Sequence, residues 1–83
     1  MKAVYFAWVR ERVGLAEEEI APPAAVVTVA DLMDWLSARG ENYAYAFENA
    51  RTIRAALDRK HVRRDAAIAG AGEIAFFPPM TGG

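Results

Sequence analysis

From Lys2 to Val9 the chain is built almost wholly of β-branched, aromatic and small residues, which predicts a strand starting beside Met1. Side chains alternate along a strand, so if Lys2 faces water then Val4, Phe6 and Trp8 share its face. Ala3, Tyr5, Ala7 and Val9 then point to the core. Gly14 interrupts the pattern after Arg10 to Val13, and a second short strand over 17–20 ends at Pro22 and Pro23, which cannot donate to a ladder. The two strands read as a hairpin with a wide loop.

Thr28 follows as a helix N-cap, with Asp31 three residues on as the acidic partner of a capping box at the positive end of the helix. Val29, Leu32, Met33 and Leu36 recur at helical spacing, and Gly40 is read as the stop. Tyr43 and Phe47, four apart in an Ala-rich stretch, predict a short second helix over 42–50. Residues 52–57 and 60–62 read as strands around an Asp58-Arg59 turn, and 73–77 as a short strand after the Gly70-Ala71-Gly72 turn. A hairpin, a helix crossing to a parallel strand, and a last strand beside the first define an α+β chain of β-grasp (ubiquitin-like) type. Its mixed sheet packs on one main helix, in keeping with the right-handed crossover preference.

The same parity marks a candidate surface. With Glu73 outside, Phe77 is outside too, and Phe6 adjoins it if the first and last strands are neighbours. His61, out of phase with apolar Val62, falls on the same face, so Phe6, His61 and Phe77 are the expected partner interface.

Composition narrows the functional classes. Eighty-three residues, 54% apolar and 25% charged, suit one small folded domain. A formal charge of −1 gives no global attraction to nucleic acid or to an anionic membrane, and neither is an expected partner. No apolar run approaches the ~20 residues of a bilayer span. The absence of cysteine excludes disulfides, thiolate nucleophiles and cysteine-ligated metals, and makes the cytoplasm the expected compartment. Locally the balance differs: Arg51, Arg54, Arg59, Lys60, Arg63 and Arg64 against Asp58 give net +5 between 51 and 64. This run lacks the interleaved aromatics or recognition helix that nucleic-acid binding wants. A solubilising face and steering toward an acidic partner protein both remain open for it.

Side-chain catalysis finds little material. The single histidine, His61, and the single serine, Ser37, lack the arrangement of a triad, and no metal site is expected. Gly70-Ala71-Gly72 precedes a strand where a dinucleotide loop would follow one, so it is a turn. Glu17, Glu18 and Glu19 alternate between faces without calcium-loop spacing, and they are read as a solvated hairpin.

The distinctive segment is Phe76-Phe77-Pro78-Pro79-Met80-Thr81-Gly82-Gly83. Two prolines cannot extend a sheet and stiffen the exit from it, dividing the chain into a domain over 1–77 and an extended tail over 78–83. Six such residues reach about 20 Å at roughly 3.3 to 3.6 Å each, far enough to enter another protein's active site. Glycines without Cβ atoms thread a narrow channel and leave the terminal carbonyl carbon unshielded.

Length, strand order and this ending resemble the molybdopterin synthase small subunits, a family of ubiquitin-like β-grasp sulfur carriers. Val9-Arg10-Glu11-Arg12-Val13-Gly14 and Ala75 through Gly83 are similar to that family's motifs. Met80 stands where valine is common, and Gly70-Ala71-Gly72 where an Asp-Gly-Asp turn is usual. The resemblance implies that Gly83 is the catalytic group, inserted by Pro78, Pro79, Met80, Thr81 and Gly82. It also implies that the chain binds no cofactor itself. An adenylating (E1-like) enzyme would activate the Gly83 carboxylate with ATP and magnesium, and a sulfur-donor protein would convert it to a thiocarboxylate. The synthase large subunit, in a heterotetramer, would then use that sulfur to turn precursor Z into the molybdopterin dithiolene. A thiamine-type sulfur carrier or a ubiquitin-like protein modifier is the alternative.

Overall fold

Five strands, β1 (Lys2–Tyr5), β2 (Glu17–Glu19), β3 (Arg54–Leu57), β4 (Lys60–Val62) and β5 (Glu73–Phe77), form one mixed sheet in the order β2-β1-β5-β3-β4. The computed structural model describes residues 1–79. At the sheet's centre β1 and β5 run parallel, with Tyr5 opposite Phe76, while the outer pairings are antiparallel. The expected first-to-last strand pairing and β-grasp architecture are therefore observed. Helices α1 (Ala7–Val13), α2 (Val29–Ser37) and α3 (Glu41–Ala46) complete the fold.

Alternation is clean on β5: Ile74 and Phe76 are fully buried, whereas Glu73, Ala75 and Phe77 are only partly covered. Tyr5 stacks on Phe76 at 6.2 Å between ring centroids, and Phe47 meets the same ring edge-on at 5.1 Å. Val29, Leu32, Met33 and Leu36 of α2 face this layer with essentially no exposure, as their spacing predicts. Burying one such side chain contributes about 1.5–3 kcal/mol, so this stripe and the two strand residues dominate the core.

The capping box forms as expected. Thr28 Oγ1 accepts from the Asp31 N–H at 3.1 Å, and Asp31 Oδ2 accepts from the Thr28 N–H at 3.0 Å and the Val27 N–H at 3.1 Å. Those donated backbone bonds, Thr28 first, hold the Asp31 carboxyl below its usual value.

The first strand is shorter than expected. It ends at Tyr5, and Ala7, with φ of 51°, turns the chain into α1. Ala7 is therefore exposed rather than inward, and Trp8 packs partly against the core. Val9 and Val13, four apart, form the buried face of α1, and this helical period overrode the strand propensity around them. Gly14 closes α1 at φ of 90°, its N–H donating to the Arg10 carbonyl at 2.8 Å. That left-handed position needs glycine for its backbone, since a Cβ there meets nothing within 4 Å. Asn42 Nδ2 reaches back to the Val13 carbonyl at 2.7 Å, tying α1 to α3.

Gly40 is not the stop of α2 expected from the sequence: α2 ends at Ser37 with Ala38 as its cap, and Gly40 precedes α3 in extended backbone. The helix expected over 42–50 is α3 followed by one 3₁₀ turn at Ala50–Thr52. Asp58 and Arg59 form the β3–β4 turn with φ of 47° and 70°, the pair of left-handed residues that a tight hairpin with the sheet's own twist requires.

Candidate functional site

The sheet has one end where β5 finishes at Phe77, and three strands deliver residues to it. Arg54 pairs with Phe77 across β3, Val62 pairs with Ala55 on β4, and the Phe6 N–H donates to the Phe76 carbonyl at 3.1 Å. Pro78 and Pro79 follow outside the strand, half-covered. Without N–H groups they add no rung to the ladder, so the chain leaves the sheet here.

The surface beside this exit carries the expected aromatic residues. His61 and Phe77 are in contact, their ring centroids 5.2 Å apart and nearly edge-to-face. Phe6, the N-cap of α1, continues the outward parity of Lys2 and Val4 and is 47% exposed. Phe6 and His61 are exposed and Phe77 is half-covered, in keeping with the expected alternation, although β1 ends at Tyr5 and Phe6 follows it as a helix cap. Met80, Thr81, Gly82 and Gly83, the remainder of the expected tail site, lie outside the described residues.

Among the described residues no group of His, Asp and Glu could hold a metal ion, and Ser37 and His61 lie on separate elements. No described helix is long and apolar enough to cross a membrane.

One charged residue has a role that sequence reasoning missed. The sequence places Glu18 in a solvated hairpin, yet its pairing with inward-facing Ala3 turns it toward the core side, where its side chain keeps 14% exposure. Its carboxylate accepts from the Tyr5 hydroxyl at 2.9 Å and the Tyr43 hydroxyl at 2.6 Å, and pairs with Arg39 at 3.2 Å. Burial first, and then the neighbouring Glu18 charge, pushes both phenols up from their ordinary value. Sitting beside Ala3 rather than at the tail end, Glu18 ties β2 to Tyr5 of β1, Tyr43 of α3 and Arg39 in the loop between α2 and α3. The signal that would have found it is the register: a glutamate in phase with Ala3 and Tyr5 must meet their polar ends.

Arg12, within the motif after the first strand, is likewise structural. Its guanidinium lies between the rings of Trp8 and Tyr45, 4.7 and 4.0 Å from their centroids, and donates to the Tyr45 carbonyl at 3.2 Å. It fastens α1 to α3, and so fixes the turn from which Phe6 projects.

The chain belongs to the ThiS family, whose profile matches residues 3–83. It is 37% identical over 83 residues to the molybdopterin synthase sulfur carrier subunit of Escherichia coli strain K12, spanning 100% of this chain and 99% of that one. The protein of the same name from Haemophilus influenzae is 29% identical, with the same coverage of 100% and 99%. Among solved structures, a putative molybdopterin converting factor subunit 1 from Pyrococcus furiosus superposes with a TM-score of 0.73 at 26% identity, covering 95% of each chain. SAMP1 from Haloferax volcanii superposes at 0.72 with 24% identity, covering 100% of this chain and 98% of its own, and shares the fold.

Proposed function

We propose that this chain is the sulfur-carrying small subunit of molybdopterin synthase, and that the Gly83 carboxylate is the group that carries the sulfur. The observation that carries the reading is the end-to-end match to the Escherichia coli sulfur carrier subunit. The sheet supports it locally, since β5 ends at Phe77 and the following prolines lead the chain away beside an exposed aromatic patch.

The chemistry follows from what the chain lacks. With no cysteine, sulfur is carried on an activated carboxyl, here the free end, and an α-carboxyl with a pKa near ~3.5 is ionised and inert to nucleophiles at neutral pH. An adenylating enzyme supplies the activation: the carboxylate attacks ATP, held with magnesium on that enzyme, pyrophosphate leaves, and the acyl-adenylate is electrophilic. The terminal sulfur of a persulfide donor attacks the acyl carbon and AMP leaves; a second thiol then cleaves the S–S bond of the acyl disulfide, releasing the thiocarboxylate as the two donor thiols become a disulfide. The tail then enters the large subunit, where precursor Z receives the sulfur. Phe6, His61 and Phe77 form the docking face, and Pro78 to Gly82 the inserting arm. The protein works in the cytoplasm and performs no catalysis alone.

The test is conversion of precursor Z by the large subunit supplied with thiocarboxylated chain. Molybdopterin should form with this chain and stop when Gly83 is deleted, while circular dichroism of the deleted form stays unchanged. Product formation at the normal rate without Gly83 would refute the proposal.

A further inference from the structure

The basic run divides into two groups in the fold. Arg59 and Lys60 sit at the β3–β4 turn, whereas Arg51, Arg54, Arg63 and Arg64 gather at the opposite end of those strands, the end at which the tail leaves. There they rim a cavity of about 380 Å³ whose floor is Met33, Ile53, Ala55 and Val62. None of the four makes an ion pair among the described residues. Arg64 Nε is buried with no hydrogen-bond partner among them. A buried donor left unmet is destabilising, and the lowest-energy way to satisfy a guanidinium is a carboxylate or phosphate in its plane.

We propose that this arginine-rimmed cavity seats an acidic segment of the synthase large subunit, with an apolar side chain of that segment against Met33 and Val62. The inference rests on the functional reading above and extends its docking face. Three observations select this occupant. The cavity adjoins the tail exit, through Arg54 beside Phe77, so whatever receives the tail covers it. Its charge is concentrated: Arg51, Arg54, Arg63 and Arg64 place four positive charges at the rim in a chain of net −1, leaving −5 elsewhere, so an acidic partner is attracted here and repelled from the rest. Its floor is apolar and has no aromatic side chain among its lining residues, which suits a side chain from a protein rather than stacked bases.

The test is association of the whole chain with the large subunit of the same organism, followed by stopped-flow over a salt series. The R51E/R63E variant should associate at least about tenfold more slowly at low salt and with a flatter salt dependence. The R59E/K60E variant, with the same charge change at the far end of the strands, should stay within about threefold of wild type. R64M should dissociate roughly tenfold faster while the free protein's unfolding midpoint does not fall, since it loses no partner among the described residues. Equal effects of R51E/R63E and R59E/K60E overturn the inference while the functional reading stands. Self-association of the chain abolished by R51E/R63E also overturns it, because the occupant is then a second copy. Failure of the wild-type chain to bind the large subunit at all removes both.

Discussion

Glu18 and Arg64 are both charged side chains held partly out of water, and the fold treats them in opposite ways. Glu18 is met by two hydroxyls, from β1 and α3, and by a guanidinium from the loop between α2 and α3. Arg64 lies among arginines, with its Nε unmet. The difference tracks position: the matched group lies beside Ala3, and the unmatched ones cluster where β5 ends and the chain leaves. Charge that serves the fold is satisfied within it, whereas charge left unsatisfied at the rim of the proposed docking face is available to a partner.

The sharpest test of this division lies on one strand. Phe76→Ala should cost about 3–5 kcal/mol in urea unfolding, because it empties the space between Tyr5 and Phe47. Phe77→Ala, one residue on and facing outward, should cost less than about 1 kcal/mol yet weaken binding of the large subunit. If the two variants unfold alike, the assignment of inner and outer faces is wrong.

Next in size, Glu18→Ala should lower stability by about 1–3 kcal/mol, since it strands the Tyr5 hydroxyl in the core without its acceptor. The pH profile gives a second view of the same cluster. Both phenols have folded-state pKa values raised above 10.0, so beyond that pH the unfolded chain releases protons that the folded one keeps. Stability should be complete below about pH 10 and fall as the pH rises past it, and Tyr5→Phe should flatten that decline. An unchanged slope in Tyr5→Phe would remove the cluster from the account.

The smallest effects lie in the backbone. Gly14→Ala should cost about 1 kcal/mol through its left-handed φ, and Arg59→Gly should gain roughly 0.5–1 kcal/mol by relieving the same conformation, both read as shifts in denaturation midpoint. An Arg59→Gly gain without loss of large-subunit binding would reinforce the separation of the turn from the arginine-rimmed cavity.

Much of this was legible in the sequence, because the relevant signals are local. Thr28 and Asp31 specify a cap from three residues' separation, and alternation over 73–77 assigns each side chain of β5 to a face. What escaped was non-local or ambiguous. The stretch from Ala7 to Val13 suits either period until the buried pair Val9 and Val13 meets α3, and only the packed molecule decides it. Glu18's role depends on Tyr43 and Arg39, more than twenty residues away in either case, so a local reading of three glutamates finds only a polar hairpin. The arginines were visible as a charge run, but their division between the turn and the cavity appears only when β3 and β4 are paired.

The central proposal is that the Gly83 carboxyl carries the sulfur, and mass spectrometry of the intact protein tests this directly. After incubation with the adenylating enzyme, ATP, magnesium and the sulfur donor, the chain should gain the mass difference between sulfur and oxygen, localised to a C-terminal fragment containing Gly83. An unaltered mass under conditions where the enzyme demonstrably forms the acyl-adenylate would contradict it.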